Sequence, residues 1–349
     1  MKHYLEDLSF ISTHGVSRPD RTGTGTKAVF GMQTRYDLSQ SFPAVTTKKL
    51  AWKACVSELL WFLEGSSDER RLCEILHGTR DSSKTTIWTE NANAPYWKPK
   101  AKFDGDLGRI YGVQWRDWRT PLDNSTILKR LKNLFKKEQY TTTDQLLDLI
   151  QRIKSDPYGR RHILSAWNPG ELDRMALPPC HTLSQFFVEP LTQTEIDTSY
   201  FKLRDSLPVE ERDAFAIDGH GNSREFRGKT AEDLIEIGLP TQKLSCQLYQ
   251  RSGDTWLGVN LNISSYSLLT CMIAQCCGLA VGEFIWTGGD CHIYDNHADA
   301  VEEQLLREPM EPPQLWLNPT IFDITKFTMD DIKLIDYQSH PPIKAPMAV

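Results

Sequence analysis

One large core of mixed helices and strands, of the α/β or α+β type, is the fold the sequence predicts, and three observations predict it. Apolar residues recur at helical spacing near both ends of the chain. Strand-like stretches lie between those helices. A charged segment, 190–242, interrupts two strong strands that would pair without it. In order, Tyr4, Leu5, Leu8 and Ile11 predict a helix ending near Gly15, which runs into a Gly/Thr loop, RTGTGT, at 21–26. KAVFGMQTRYDL then reads as a strand, and AWKACVSELLWFLEG as a buried helix with Trp52, Val56, Leu59 and Leu63 on one face. Residues 66–110 read as polar and loop-rich. DQLLDLIQRIK (144–154) reads as a helix, and HILSAW, TLSQFFV and KLSCQLYQR read as strands. SSYSLLTCMIAQCCG is a long apolar helix closed by Gly278, and the tail is mixed. The stretches 119–142 and 190–242 read as insertions into one catalytic domain spanning 1–349, surface excursions rather than a second domain.

At 349 residues, 40% hydrophobic and 25% charged, the chain carries enough apolar material for a sizeable core and does not resemble a disordered one. Forty basic against forty-six acidic residues leave a net charge of −6, which argues against a protein coated in nucleic acid. The basic segment KRLKNLFKK is most simply the solvated face of a helix. No run of eighteen apolar residues predicts a membrane span, and MKHYLEDLSF does not read as a secretory signal. Eight irregularly spaced cysteines without a CxxC pair suit neither a disulfide scaffold nor a zinc ribbon. The expectation is a cytoplasmic protein with no metal and no membrane partner.

Cys180 stands in ALPPCHTLSQF, where two prolines fix the approach of the chain at the mouth of a strand. A buried structural cysteine is the plain alternative, and it suits Cys55, Cys246, Cys271, Cys276 and Cys277, which lie inside apolar patterns. A nucleophilic thiolate needs positive potential nearby, and Arg21, Arg160, Arg161 and Arg251, all at element ends, can supply it. Arginines so placed also suit a phosphate, whose oxygens the planar fork binds in pairs. RTGTGT lacks the lysine and spacing of a nucleoside-triphosphate loop. Glu58 lies in a helix apolar on nearly every side, as a paired structural carboxylate or as an acid/base group with a raised pKa. Asn262 is either a helix cap or an amide able to read one edge of a nucleobase. His292 and Tyr294 alternate along a short strand and face one side.

Taken together, DRTGTGT (20–26), FPAVTTKKLAWKAC (42–55), ELLWFLEG (58–65), DLGRIYGVQWRDW (106–118), RRHILSAWNPGELDRMALPPCH (160–181), KLSCQLYQRSGD (243–254), NISSY (262–266), FIWTGGDCHIYDNH (284–297) and the terminal HPPIKAPMAV resemble the thymidylate synthase family. FPAVTTKKLAWKAC most resembles phage-encoded members. The resemblance implies an α+β fold with a large mixed β-sheet packed by helices, and a symmetric homodimer formed sheet to sheet. It implies reductive methylation of deoxyuridylate (dUMP) by 5,10-methylenetetrahydrofolate, a co-substrate, giving thymidylate and dihydrofolate.

Residue by residue, the resemblance makes Cys180 the thiolate that adds to uracil C6. Arg21, Arg251 and Ser252 would hold the 5′-phosphate, and Arg160 and Arg161 would come from the other subunit. Gln250 falls on the nucleotide side. Glu58 would move protons through ordered water, with Tyr111, His181 and Asp254 as further active-site positions. Asn262 would pair with O4 and N3–H of uracil, and His292 and Tyr294 with the 3′-hydroxyl. Ile87, Trp88, Leu177, Asp254, Leu257, Gly258, Leu261 and Tyr294 would line the folate site, and Lys48 would meet its glutamate tail. The terminal Met347, Ala348 and Val349 would close over the ligands. Three departures fall where the family usually has other residues: Arg109 for proline, Thr89 for an aspartate that orders the Trp88 loop, and Asn260-Leu261 for Pro-Phe. The resemblance places all three around the folate. A hydroxymethylase, trapping the methylene with water instead of hydride, is the nearest rival. A cysteine hydrolase pairing Cys180 with His292 is a more distant one.

Overall fold

The computed structural model describes residues 1–20, 22–122, 125, 129, 140–206 and 238–346. The first helix, α1 (Lys2–His14), buries Tyr4, Leu8 and Ile11 on one face, as their spacing requires. Strands β1 (Val16–Arg18) and β2 (Thr26–Asp37) follow, then α2 (Trp52–Glu64), which ends where Gly65 turns left-handed at φ 69°.

Residues 66–110 are more helical than their polarity suggested. Helix α3 (Glu69–His77) starts at Asp68, whose carboxylate accepts from the Arg70 amide at 2.9 Å, and stops at Gly78 with φ 72°. Helix α4 (Thr89–Asn93) carries the residues after Trp88. Both end signals of α3 were present in the sequence, masked by its charged exposed face.

Next come α5 (Tyr111–Arg116) and the hairpin of β3 (Trp118–Pro121) and β4 (Tyr140–Thr143), which forms the base of the first excursion. The basic segment lies almost wholly outside the described residues. Helix α6 (Gln145–Ser155) leads to β5 (Ile163–Ser165) and β6 (His181–Pro190). The second excursion opens with α7 (Gln193–Ser206), where Leu191, Ile196 and Tyr200 form a small satellite core. Beyond it the described chain resumes with β7 (Gln242–Asp254), which pairs antiparallel with β6 as the flanking strands predicted.

A π-helical turn, Thr255–Val259, runs into α8 (Asn260–Cys277), ended by Gly278 at φ 70°. β8 (Ala280–Tyr294), α9 (Ala298–Leu305) and the hairpin of β9 (Gln314–Leu317) with β10 (Ile332–Ile335) complete the chain. Residues 255–277 form a helix long and apolar enough to cross a membrane, which amends the sequence-based exclusion. Its most apolar window is 72% buried within the protein, as suits a central core helix.

Six strands form one mixed sheet in the order β1-β2-β8-β7-β6-β5. Among the described strands only β7 and β8 run parallel, and α8 is their crossover, since parallel neighbours cannot be joined by a tight turn. Helices cover one face with the main core, in which Trp61, Trp256, Phe284, Trp286 and the length of α8 are buried. On the sheet, Phe30, Leu183, Phe187 and Tyr249 remain exposed.

Candidate active site

Cys180 sits at the bend where Pro178 and Pro179 deliver the chain to β6. Its amide donates to the Tyr111 hydroxyl at 2.7 Å, and its carbonyl accepts from the Arg251 amide at 2.8 Å. The Arg251 guanidinium donates from Nε to the Pro179 carbonyl at 2.9 Å and from Nη2 to the Pro178 carbonyl at 3.0 Å. The same Nη2 stands 3.8 Å from the sulfur. These carbonyls are free to accept because the sheet ladder begins only at His181. Burial pushes the Cys180 thiol above its usual range, while Arg251 and a hydrogen bond with Tyr111 pull it back. Within one chain, then, the expected electrostatic priming is outweighed by desolvation.

Asn262 is the third residue of α8 rather than its cap. Val259 takes the cap position of α8, and the π-turn before it is capped by Asp254, whose carboxylate accepts from the Leu257 amide at 3.0 Å. That leaves the Asn262 amide for other work. Its Oδ1 accepts from Gln250 Nε2 at 3.0 Å, and Gln250 Oε1 accepts from the Trp286 indole at 3.0 Å. The indole can only donate, so it fixes which end of the Gln250 amide faces Asn262. His181, also bonded to Asn262, is buried between Tyr111 and Tyr266 and pushed down to about 4 by desolvation, which keeps it neutral.

Glu58 finds the buried partner its position demanded, in the Trp88 indole, which donates to its Oε1 at 2.7 Å. Burial still pushes its carboxyl up to about 7, with that bond working in the opposite direction. A carboxyl there can take or release a proton near neutral pH. Trp88 stands edge-on to Tyr111, 5.7 Å between ring centres, so Glu58, Trp88, Tyr111 and Cys180 form a continuous chain of contacts.

β8 is a long central strand, and His292 and Tyr294 lie on one side of it with rings 5.2 Å apart. His292 Nδ1 bonds the Asp290 carboxylate at 2.9 Å, while the sulfur of Cys180 faces the Arg251 guanidinium, which leaves the hydrolase pairing unsupported. Asp254 is in register with His292 on the neighbouring strand. Leu177, Leu257 and Leu261 are half-buried against the core, whereas Ile87 is exposed and Trp88 buried. Gly258 lies against Asn262, where a Cβ would come 3.9 Å from its Oδ1. Lys48 is turned inward, only 7% exposed, its ammonium on the Trp256 carbonyl and 3.8 Å above that ring. Burial pushes it down to about 7, so in this arrangement it is a core amine rather than a surface cation.

The three departures are locally compensated. Arg109 is buried, donating to Glu171 at 2.5 Å and Asp117 at 2.7 Å, with Gln114 and Asn168 completing the network. Its guanidinium is committed to these two ion pairs. The Asn260 amide donates to the Trp256 and Leu257 carbonyls at 2.9 and 3.1 Å and holds the π-turn. Thr89 donates to the buried carboxylate of Glu69 at 2.7 Å, a residue the sequence reading passed over.

Arg160 and Arg161 are exposed on the turn entering β5, the far edge of the sheet, and make no ion pair among the described residues. Ser252 is half-buried next to Arg251. Arg21 and the terminal Met347, Ala348 and Val349 lie outside the described residues. Pro346, just before that terminus, accepts a hydrogen bond from His297 Nε2 at 2.7 Å. Among the described residues no group of three or more His, Cys, Asp or Glu side chains could hold a metal.

Compared with known protein families, residues 2–206 and 226–349 match the family described as thymidylate synthase. The match takes in both ends of the Cys180–Tyr111–Arg251 cluster, α2 with Glu58, and the strand carrying His292 and Tyr294. By sequence match, mixed six-stranded sheet and the setting of its cysteine, this chain belongs to the thymidylate synthase family, whose members act on deoxyuridylate with a one-carbon unit carried by methylenetetrahydrofolate.

Proposed function

We propose that the chain makes thymidylate by reductive methylation of dUMP at C5, with Cys180 adding to C6 of the uracil ring. The observation that carries this reading is the contact chain from Cys180 through Tyr111 and Trp88 to Glu58, with the Asn262 amide, oriented by Gln250, bonded to His181, the residue after the cysteine. Addition of the sulfur at C6 places electron density at C5, which becomes the nucleophile toward the folate's one-carbon unit. Methylenetetrahydrofolate supplies that unit and the hydride. Glu58, with a carboxyl poised near neutrality, moves protons at the ring, and Asn262 presents a fixed acceptor to N3–H and a donor to O4. Arg251 and Ser252 suit the 5′-phosphate, and His292 and Tyr294 the sugar. The apolar walls at Ile87, Trp88, Leu177, Leu257 and Leu261 suit flat folate rings and exclude water.

We also place the active form as a dimer. Phe30, Leu183, Phe187 and Tyr249 are apolar residues left exposed on the sheet, which a second copy would bury, and Arg160 and Arg161 have no ion-pair partner among the described residues. The alternative activity is dUMP hydroxymethylation, in which water captures the methylene. Buried Trp88 beside Glu58 favours hydride, because it keeps water from that wall. Incubation with dUMP and methylenetetrahydrofolate, followed by product mass and dihydrofolate absorbance, separates the two. Thymidylate with equimolar dihydrofolate is the expected result; 5-hydroxymethyl-dUMP with tetrahydrofolate left unoxidised overturns reduction. Cys180→Ala should bind dUMP without turning it over, and retained turnover removes the nucleophile.

A further inference from the structure

At the start of α3, Glu69 is 1% exposed, an expensive place for a carboxylate without a task. Its two oxygens divide the work. Oε2 accepts from Arg70 Nε at 2.6 Å, and Arg70 also donates from Nη1 to the Asp81 and Lys84 carbonyls, both at 3.0 Å. Oε1 accepts the hydroxyls of Thr86 at 2.6 Å and Thr89 at 2.7 Å. Each hydroxyl thereby spends its one proton on the carboxylate and turns its lone pairs outward. Thr89 Oγ1 accepts from the Thr86 amide at 2.8 Å, and Thr86 Oγ1 from the Trp88 amide at 3.2 Å. Two residues of the loop are thus held by a polarity that one buried charge imposes. The loop ends in Trp88, whose indole holds Glu58.

We propose that Glu69 is a positioning residue for Glu58, clamping the Trp88 indole onto that carboxyl through Thr86 and Thr89. The inference rests on the reading above, in which Glu58 moves protons. It also assigns a source for the loop order that an aspartate at position 89 would otherwise give. Here the negative charge comes from the neighbouring helix and the threonine relays it.

Glu69→Gln tests the clamp. An amide cannot accept from Arg70 and from both hydroxyls at once, because one of its ends donates. Loosening the loop removes the indole's bond, which favours ionised Glu58. Three results are expected in the full-length enzyme. Hydrogen exchange of the Thr86 and Trp88 amides accelerates. The inflection of the kcat–pH profile moves upward by about one pH unit, the weight of one hydrogen bond to a carboxylate. The Glu69→Gln/Thr89→Asp double variant, which returns a carboxylate beside Arg70 and Thr86, brings both readouts back toward wild type. Thr89→Val, which removes a single oxygen, carries the same test if the first variant does not fold. Unchanged amide exchange overturns the clamp regardless of activity. A reduced rate with an unmoved profile, not rescued by adding Thr89→Asp, shows mere packing and overturns it too. A wild-type enzyme that converts no dUMP would instead refute the functional reading, with the exchange experiment still deciding the clamp.

Discussion

Replacing Arg251 tests whether charge or architecture makes Cys180 reactive. The guanidinium does two things at once. Its Nε and Nη2 hold the Pro179 and Pro178 carbonyls, and Nη2 lies 3.8 Å from the sulfur. At that distance a unit charge pair at an effective dielectric near 20 interacts by roughly 4 kcal/mol. Arg251 is half-exposed, so solvent screening reduces this to about 1–1.5 kcal/mol, a roughly tenfold change in thiolate population. Because burial already holds the thiol above its usual range, the thiolate is the minor form at neutral pH and its amount tracks the lost attraction directly. In Arg251→Gln, alkylation of Cys180 by iodoacetamide at pH 7 should therefore slow about tenfold. Arg251→Lys keeps the charge and loses the fork, and should stay within about threefold of wild type. Peptide mapping assigns the reaction to Cys180 among eight cysteines. An unchanged rate in the glutamine variant, or equal slowing in both variants, refutes the electrostatic argument.

Three other outcomes follow from the same geometry. Asn262→Asp keeps the acceptor bonded to Gln250 but exchanges the amide donor for a second acceptor, so competition between nucleotides should favour deoxycytidylate by roughly a hundredfold relative to wild type; an unaltered ratio means the base is read elsewhere. His181 is held at about 4 against an ordinary 6.5, so the unfolded chain binds a proton that the folded one refuses between those values. Stability should fall as pH drops through that window, by about 3 kcal/mol in all, and urea melts of His181→Gln should lose that part of the slope. Arg109→Leu strands the Glu171 carboxylate in the interior and should cost about 3–5 kcal/mol in urea melts while KM for folate stays near wild type; a large folate effect with full stability would return Arg109 to the cofactor side.

Much of the architecture was legible because it follows from local rules. Tyr4, Leu8 and Ile11 share a face at any helix of 3.6 residues per turn, and Gly65 and Gly278 stop helices because a left-handed residue costs glycine little. The pairing of β6 with β7 across the second excursion was readable from two strong strands separated by a charged stretch. Helix α3 was missed because a short amphipathic helix shows only two buried residues besides Glu69, Leu72 and Cys73, within an otherwise charged run.

The residue types of the proposed site are fixed by the primary structure: Cys180 after two prolines, Glu58 in an apolar helix, Asn262 near a helix start. Their working states are not. Whether Glu58 sits near 7, His181 near 4 or Lys48 near 7 depends on how much water each loses, and that loss comes from Trp88, Tyr111, Tyr266 and Trp256, which lie far apart along the chain. The same holds for Arg109 and Thr89, which look like losses on the folate side until Glu171 and Glu69 are seen to receive them. Patterns of three to seven residues decide where backbone bends and which faces are apolar; desolvation and the choice of hydrogen-bond partner are set by neighbours that only folding brings together.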